Sequence, residues 1–358
     1  MKLSVILIFL VGLLSLETNA KKGEVFIIEK RIEHLPVINQ GSTGTCWSFA
    51  TTSFLESEII RKGLPAIDLS EMFFVNYAYK NKAEQYLLYH GNNNFSEGGL
   101  AHDVLNIVKE EGMSTFEDFP GIQDDGSYRH YNLVNSLNVQ VTELNKKSDD
   151  FDTSDLETLD PILKQYIGKL PKKIKVGSDK ITPAELPEKL NINTDDYVNL
   201  SSFTHHPFYQ PFVLEVPDNW AHGLFYNLPI DELIEVMDYS LDNGYSLCWD
   251  GDTSEKTFSH EKGKAYLPED QTGKVDQDLR QEAFYQRKTT DDHLMHVVGV
   301  SKDSEGRRCY YIKNSWGAES NDYGGYLNMT VDYARLKTIA ILVHKDAIPP
   351  VIRKKLNL

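Results

Sequence analysis

Apolar patterning divides this chain in two, and that division limits the folds open to it. Residues 46–62 carry Trp47, Phe49, Ala50, Phe54, Ile59 and Ile60 at helical spacing, closed by Lys62-Gly63. Residues 101–111 repeat the pattern and stop at Gly112, and a further helix is predicted from about Ile230 to Asp242, ahead of Asn243-Gly244. Residues 122–181 are polar and charge-rich, with a helix predicted around Leu156 to Tyr166. Thr182-Pro183-Ala184-Glu185 then has the form of a capping box with proline in the first turn. The last third carries short apolar segments instead: Tyr245 to Trp249, Met295 to Val300, and Tyr310 to Lys313. The last two read as strands joined by the polar loop 301–308. Helices early and strands late predict an α+β fold with its site between the two parts.

The first twenty residues stand apart from that pattern. Lys2 precedes a nearly unbroken apolar run from Leu3 to Leu16, and Thr18 and Ala20 place small residues ahead of Lys21. This is the layout of a secretory signal peptide, and the run is shorter than the ~20 residues a membrane-spanning helix needs. Residues 1–20 are therefore expected to be removed, and residues 21–358 to work in a secreted or periplasmic setting without a membrane span. The cysteines are Cys46, Cys248 and Cys309. An odd set leaves a thiol free whatever else pairs, and a chain of this length can bury a core without disulfides. The net charge of −16, with no cluster of Lys and Arg, argues against a nucleic-acid partner.

Chemistry concentrates in the segment Asn39-Gln40-Gly41-Ser42-Thr43-Gly44-Thr45-Cys46-Trp47-Ser48-Phe49-Ala50. A cysteine opening a helix feels the partial positive charge of unpaired backbone amides, which favours the nucleophilic thiolate. Gln40 can offer side-chain N–H groups, and Cys46 its own amide, to an oxyanion at an attacked carbonyl. Two histidines, His293 and His296, lie on or beside the apolar strand segment at 295–300, where an imidazole can serve as base. Asn314, in Lys313-Asn314-Ser315-Trp316-Gly317, can accept a hydrogen bond from an imidazole and hold its tautomer, with Trp316 shielding that bond from water. Each residue alone also has an ordinary structural explanation: a buried thiol, a core histidine, a turn asparagine.

Taken together these motifs resemble the papain-like cysteine peptidases. Gln40-Gly41, Gly44 and Cys46-Trp47-Ser48-Phe49-Ala50 match the family's nucleophile segment, and Gln40, Cys46, the histidine segment and Asn314 follow in family order. The resemblance implies Cys46 as nucleophile, His296 as base because it immediately precedes the Val-Val-Gly strand, Asn314 as the residue that orients it, and Gln40 in the oxyanion site. Glu97-Gly98-Gly99-Leu100 resembles the wall against which the family's substrate backbone pairs, giving Gly98 and Gly99 a substrate-binding role alongside Trp316. Cys248 falls in a segment that resembles the family's core strand and is expected to be structural.

Thr43 stands where many secreted members carry a bridging cysteine. That departure, together with the 250 residues from Cys46 to His296, points to the bleomycin hydrolase and aminopeptidase C branch. Compact members separate these residues by only ~130–150. The expected architecture is a papain-like two-part fold, helical left part and β-rich right part, spanning residues 21–358 with a large insertion at about 122–200. The implied activity is hydrolysis of peptide substrates through a Cys46 thioester, aminopeptidase-like, with no cofactor and no metal. His205-His206, inside the inserted region, is read as surface loop. In that branch the C-terminus lies in the cleft and the subunits form a hexameric ring, which implies a homo-oligomer here; the tail after Pro349 departs from the branch's usual ending, so a cleft-directed arm stands against an ordinary solvated terminus. An endopeptidase of the same fold, a thiol-dependent acyl transferase and a catalytically silent peptide-binding relative are the alternatives.

Overall fold

The computed structural model describes residues 24–123, 125–147, 152–273 and 275–358; the predicted signal segment at 1–20 lies outside them. The described chain opens with strand β1 (Ile27–Arg31) and four helices, α1 (Cys46–Arg61), α2 (Glu71–Leu88), α3 (Ala101–Glu110) and α4 (Tyr131–Lys146). Shorter pieces follow: α5 (Asp160–Tyr166), the hairpin β2 (Ile174–Val176) and β3 (Asp179–Ile181), and α6 (Leu186–Lys189). Strands β4 (Tyr197–Ser201), β5 (Pro211–Val213) and β6 (Leu224–Asn227) lead to α7 (Ile230–Asp242) and β7 (Leu247–Gly251). Then come β8 (Phe258–Ser259), β9 (Lys264–Ala265) and α8 (Gln277–Tyr285), followed by β10 (His293–Lys302), β11 (Arg308–Lys313) and β12 (Tyr326–Thr330). The chain finishes with α9 (Val331–Lys337), β13 (Thr338–His344) and α10 (Pro350–Lys355).

Eleven strands form one sheet in the order β5-β6-β4-β13-β7-β10-β11-β12-β9-β8, with β1 paired to β10. One edge of β10 is shared. Its first half pairs antiparallel with β7, from His293↔Gly251 to Val297↔Leu247, and its second half pairs with β1. Alternation along the strands sends Cys248, Leu294, Ala340 and Leu342 to one face and Trp249, Met295, Ile341 and Val343 to the other. The first face packs against α1 and the helices around it. Leu133, Leu137, Leu159 and Leu163 join that same core, so the region at 122–200 thickens the helical layer. The second face packs against α7 and α9. The α+β expectation holds, and the predicted helices at 46–62, 101–111 and 230–242 are found within a residue of their bounds.

α1 departs from its expected one-sided character, because 14 of its 16 residues are buried. A helix enclosed on all sides must satisfy its polar residues internally. Ser48 Oγ donates to the Glu71 carbonyl at 2.8 Å, Ser57 Oγ to the Glu33 carbonyl at 2.6 Å, and the Leu69 amide donates to Glu56 Oε1 at 3.0 Å. The capping box at Thr182 forms as the sequence suggests, with Glu185 Oε2 accepting from the Thr182 amide at 2.6 Å. No cysteine is paired, so Cys248 and Cys309 are buried thiols.

The C-terminal tail is placed differently from a cleft-directed arm. β13 begins at Thr338, opposite Gly251 and so at the end of the sheet that holds His293, and runs to His344 at the far end. From there α10 docks on α7, on the face of the sheet away from α1. Ile352 and Leu356 bury into that core, and Lys355 Nζ donates to Glu232 Oε1 at 2.6 Å. Apolar burial holds the tail there. Ile352→Ala is expected to lower unfolding free energy by about 2–5 kcal/mol, the range for truncating a buried aliphatic side chain. Urea denaturation checks this, and an unchanged midpoint would contradict a docked tail.

Candidate active site

Cys46 is the first residue of α1, and no side chain caps that helix. Ser48 N–H turns back to the Thr45 carbonyl at 2.9 Å, which leaves the amides of Cys46 and Trp47 to face a ligand. The loop before it is pinned on two sides. Gln40 N–H donates to the Ser315 carbonyl at 2.8 Å, and Ser315 Oγ donates to Gln40 Oε1 at 2.6 Å. Gln40 Nε2 donates to the Thr43 carbonyl at 2.8 Å, which uses one of its two hydrogens. On the other side Gly44 N–H donates to Glu97 Oε2 at 2.5 Å, and Trp47 Nε1 donates to the Glu97 carbonyl at 3.0 Å.

The structure joins Asn314 to His293, not to His296. His293 Nε2 lies 2.7 Å from Asn314 Oδ1, and Trp316 packs over the pair with its ring centroid 4.9 Å from that of His293. The Leu294 amide, next along the chain, donates to the Cys46 sulfur. His296, three residues further along β10, belongs to the opposite face of the strand. Its Nδ1 lies 2.8 Å from Ser53 Oγ, two turns along α1 from Cys46 and so about 10 Å down the helix axis. Phe54 and His34 flank its ring, each with centroids 6.2 Å away. The expected pairing of Asn314 with His296 is thereby corrected: Asn314 bonds His293. The Val-Val-Gly strand was the wrong landmark: His296 shares the α1-facing side of β10 with Leu294 but lies two turns down the helix from Cys46, whereas His293 stands at the start of the strand, beside Asn314.

Two further groups complete the site. His260 Nδ1 lies 3.2 Å from Asn314 Nδ2, and its ring meets Trp316 edge-on at 4.8 Å. No local motif marks His260, which reaches the site from the β8–β9 connection. Lys82 is buried between Trp47, Tyr79 and Trp220, and its ammonium donates to the carbonyls of Ser96 and Gly98. Lys82 thus fixes the Gly98-Gly99 segment from behind, while the Asp218 carboxylate packs where a Cβ of residue 98 would stand. Away from the site, His205 and His206 both reach Glu215, at 3.1 and 2.6 Å, so this loop is tied by a shared carboxylate.

Burial opposes charge on both central groups. It pushes the Cys46 thiol up to about 12, an effect that the Leu294 amide moderates and Asp291, Asp250 and Asp218 reinforce. It holds His293 down to about 4, partly offset by the hydrogen bond to Asn314. A proton passed from thiol to imidazole would create two buried charges, and their mutual attraction would have to offset both desolvation penalties.

Fold and site define a papain-like cysteine peptidase architecture, and comparison with known proteins agrees. The model of the Papain family cysteine protease matches residues 28–163, and that of the Peptidase C1-like family matches residues 171–358. The chain belongs to the Peptidase C1-like family. It is 28% identical over 177 residues to Aminopeptidase W of Lactobacillus delbrueckii subsp. lactis, covering 47% of this chain and 40% of that protein. With Aminopeptidase G of the same organism it shares 22% identity over 366 residues, covering 86% of this chain and 80% of the relative. Cysteine proteinase 1 of Dictyostelium discoideum is 31% identical over 104 residues, 28% of this chain and 29% of that one. The chain thus spans less than half the length of two of these three relatives. Among solved structures, PepW from Lactobacillus rhamnosis HN001 superposes with a TM-score of 0.75 at 17% identity, covering 92% of this chain and 84% of that one. That likeness establishes the fold.

The buried histidines carry a pH signature. Burial holds His34, His130 and His293 down to about 4, and His296 well below the usual imidazole range. Unfolded, each titrates near 6.5, so below that pH the unfolded chain binds more protons and stability is lost as pH falls toward 4. The buried carboxyls of Glu56, Glu71, Asp250 and Asp291, held above their usual range, act in the opposite sense over that window, so the histidine contribution is read as a difference between proteins. In thermal melts from pH 6.5 to 4, His296→Gln, which keeps a partner for Ser53 but cannot charge, should lose less Tm than the intact protein. Parallel pH profiles of the two would contradict a neutral buried His296.

Proposed function

We propose that the protein hydrolyses peptide bonds with Cys46 as nucleophile, His293 as general base and then acid, and Asn314 as the residue that orients His293. The observation that carries this reading is the His293–Asn314 hydrogen bond at 2.7 Å beneath Trp316, next to the amide that contacts the Cys46 sulfur. Cys46 thiolate attacks the peptide carbonyl, and the oxyanion is received by the Cys46 amide and the unused N–H of Gln40 Nε2. Imidazolium His293 protonates the leaving amine as the C–N bond breaks, leaving a thioester on Cys46. His293 then takes a proton from water, whose oxygen attacks the thioester and returns the thiol. Gly98 and Gly99, backed by Lys82, supply the wall for the substrate backbone.

An aminopeptidase mode is the finer part of the proposal. It draws on the two relatives named as aminopeptidases and takes no support from the tail, which docks on α7. Secretion likewise rests on the layout of residues 1–20, and N-terminal sequencing of the native protein would test it: a start at Lys21 supports it, an intact Met1 opposes it.

Substitution tests the assignment of roles. Cys46→Ala is expected to lower kcat/KM on a fluorogenic peptide by at least about 10⁴-fold, and His293→Ala by about 10²–10⁴-fold. His296→Gln should stay within about tenfold of the unaltered protein. A large loss in kcat with His296→Gln and a small one with His293→Ala, both folded by circular dichroism, would reverse the assignment.

A further inference from the structure

β7, β10 and β13 set Asp250, Leu294 and Ala340 abreast on the face of the sheet toward α1. With Leu100 and Phe225 these residues line a narrow pocket of about 10 Å³. The room inside suits a group about the size of one water molecule. Leu294 forms its wall on the Cys46 side, since the Leu294 amide is the one that touches the sulfur.

Asp250 is out of place in such a pocket. Its residue is 4% exposed, and neither carboxylate oxygen receives a hydrogen bond among the described residues; the same is true of Asp291 Oδ2. Asp291 lies within hydrogen-bond reach of Asp250, and since both are carboxylates one can bond the other only while the pair keeps a proton. Buried carboxylate oxygens without donors are costly, and native structures keep few of them. Burial and the charge of Asp291 hold the Asp250 carboxyl well above the usual carboxylate range. Burial and the charge of Asp218 push Asp291 up to about 7. The empty pair therefore retains a proton that stands in for a missing cation. Asp218, the third carboxylate near Cys46, already has Asn94 Nδ2 as a donor at 2.9 Å and the charge of Lys82 nearby. The unmet demand lies at Asp250 and Asp291.

We infer that Asp250 and Asp291 hold a substrate ammonium group beside Cys46, so that the enzyme selects peptides carrying a primary ammonium on the stretch that pairs with Gly98-Gly99. This rests on the peptidase reading of the site. An ammonium is close to water in size and brings three N–H donors to the three open oxygens, releasing the shared proton. The planar guanidinium of arginine is too large for the space. The α-ammonium of a free N-terminus and the side chain of lysine offer the same chemistry. Binding either would also cancel negative charges that oppose the Cys46 thiolate, linking occupancy of the pocket to activation of the nucleophile.

Titration calorimetry on the Cys46→Ala protein separates the possibilities without turnover. Three ligands are compared: Leu-Ala-Leu amide, its N-acetyl form, and N-acetyl-Lys-Ala-Leu amide. One of the two ammonium-bearing peptides is expected to bind at least about tenfold tighter than the N-acetyl apolar peptide. Which one does so identifies the α-ammonium or lysine. The preference should disappear in Asp250→Asn and in Asp291→Asn. Equal or absent binding of all three, or a preference that survives both substitutions, overturns the inference. The ligand comparison needs no pocket variant, so a folding defect in Asp250→Asn leaves the test intact. Failure of the intact protein to hydrolyse peptides would count against the peptidase reading separately, because the binding comparison does not depend on turnover.

Discussion

A helix enclosed on every side has no solvent to hydrate its polar residues, and α1 meets that constraint by bonding to each of its surroundings. Ser48 ties it to α2, Ser57 to the segment after β1, and Ser53 to His296 and Lys313 of the sheet. These contacts fix the axial position of the helix as well as its rotation. Its uncapped N-terminus is thereby held at the start of β10, where the Leu294 amide meets the Cys46 sulfur. Placement of the nucleophile is a consequence of how the helix is buried. The loops that carry Gln40 and Asn314 are then clamped to one another through Ser315, which couples the remaining parts of the site to the same anchor.

The two faces of the sheet divide the work. The face toward α1 carries the nucleophile, the substrate wall and the pocket at Asp250; the other face carries α7, α9 and the docked tail. His293 and Asp250 share one end of the sheet because β7 and β10 run antiparallel in the register His293↔Gly251 and Leu294↔Asp250. A single register thus sets both the base and the carboxylate that faces the pocket. Slipping it by one residue would put Leu294 and Asp250 on opposite faces of the sheet.

Much of this was legible in the sequence, and the failures have identifiable causes. The nucleophile segment could be read because helix onset, glycines and Gln40 are local features, and Asn314 because its neighbours form a compact motif. His293 and His296 could not be separated by motif alone. The choice depends on where along α1 each histidine stands and on which one Asn314 reaches, and both follow from how β10 is paired and packed on the helix. Local pattern also made α1 look one-sided, since Ser, Thr and Glu read as solvent-facing until their buried partners are known. His260, Lys82, Asp250 and Asp291 act from four separate elements, and only the tertiary fold brings them near Cys46. The tail, left open between a cleft arm and a solvated terminus, follows neither for a related reason: Ile352 and Leu356 form an apolar pair whose docking surface on α7 no terminal motif announces.

The pairing of Cys46 with His293 is the central claim, and the pH dependence of Cys46 alkylation by iodoacetamide measures it most directly. An isolated cysteine titrates near 8.5, and burial alone would raise that further. If His293 forms an ion pair with the sulfur, alkylation of the intact protein should already be fast near pH 6. In His293→Gln the reactive limb should move to alkaline pH, while in His296→Gln it should stay in place. A single alkaline rise in the intact protein, or a profile that shifts with His296 and not with His293, would contradict the account.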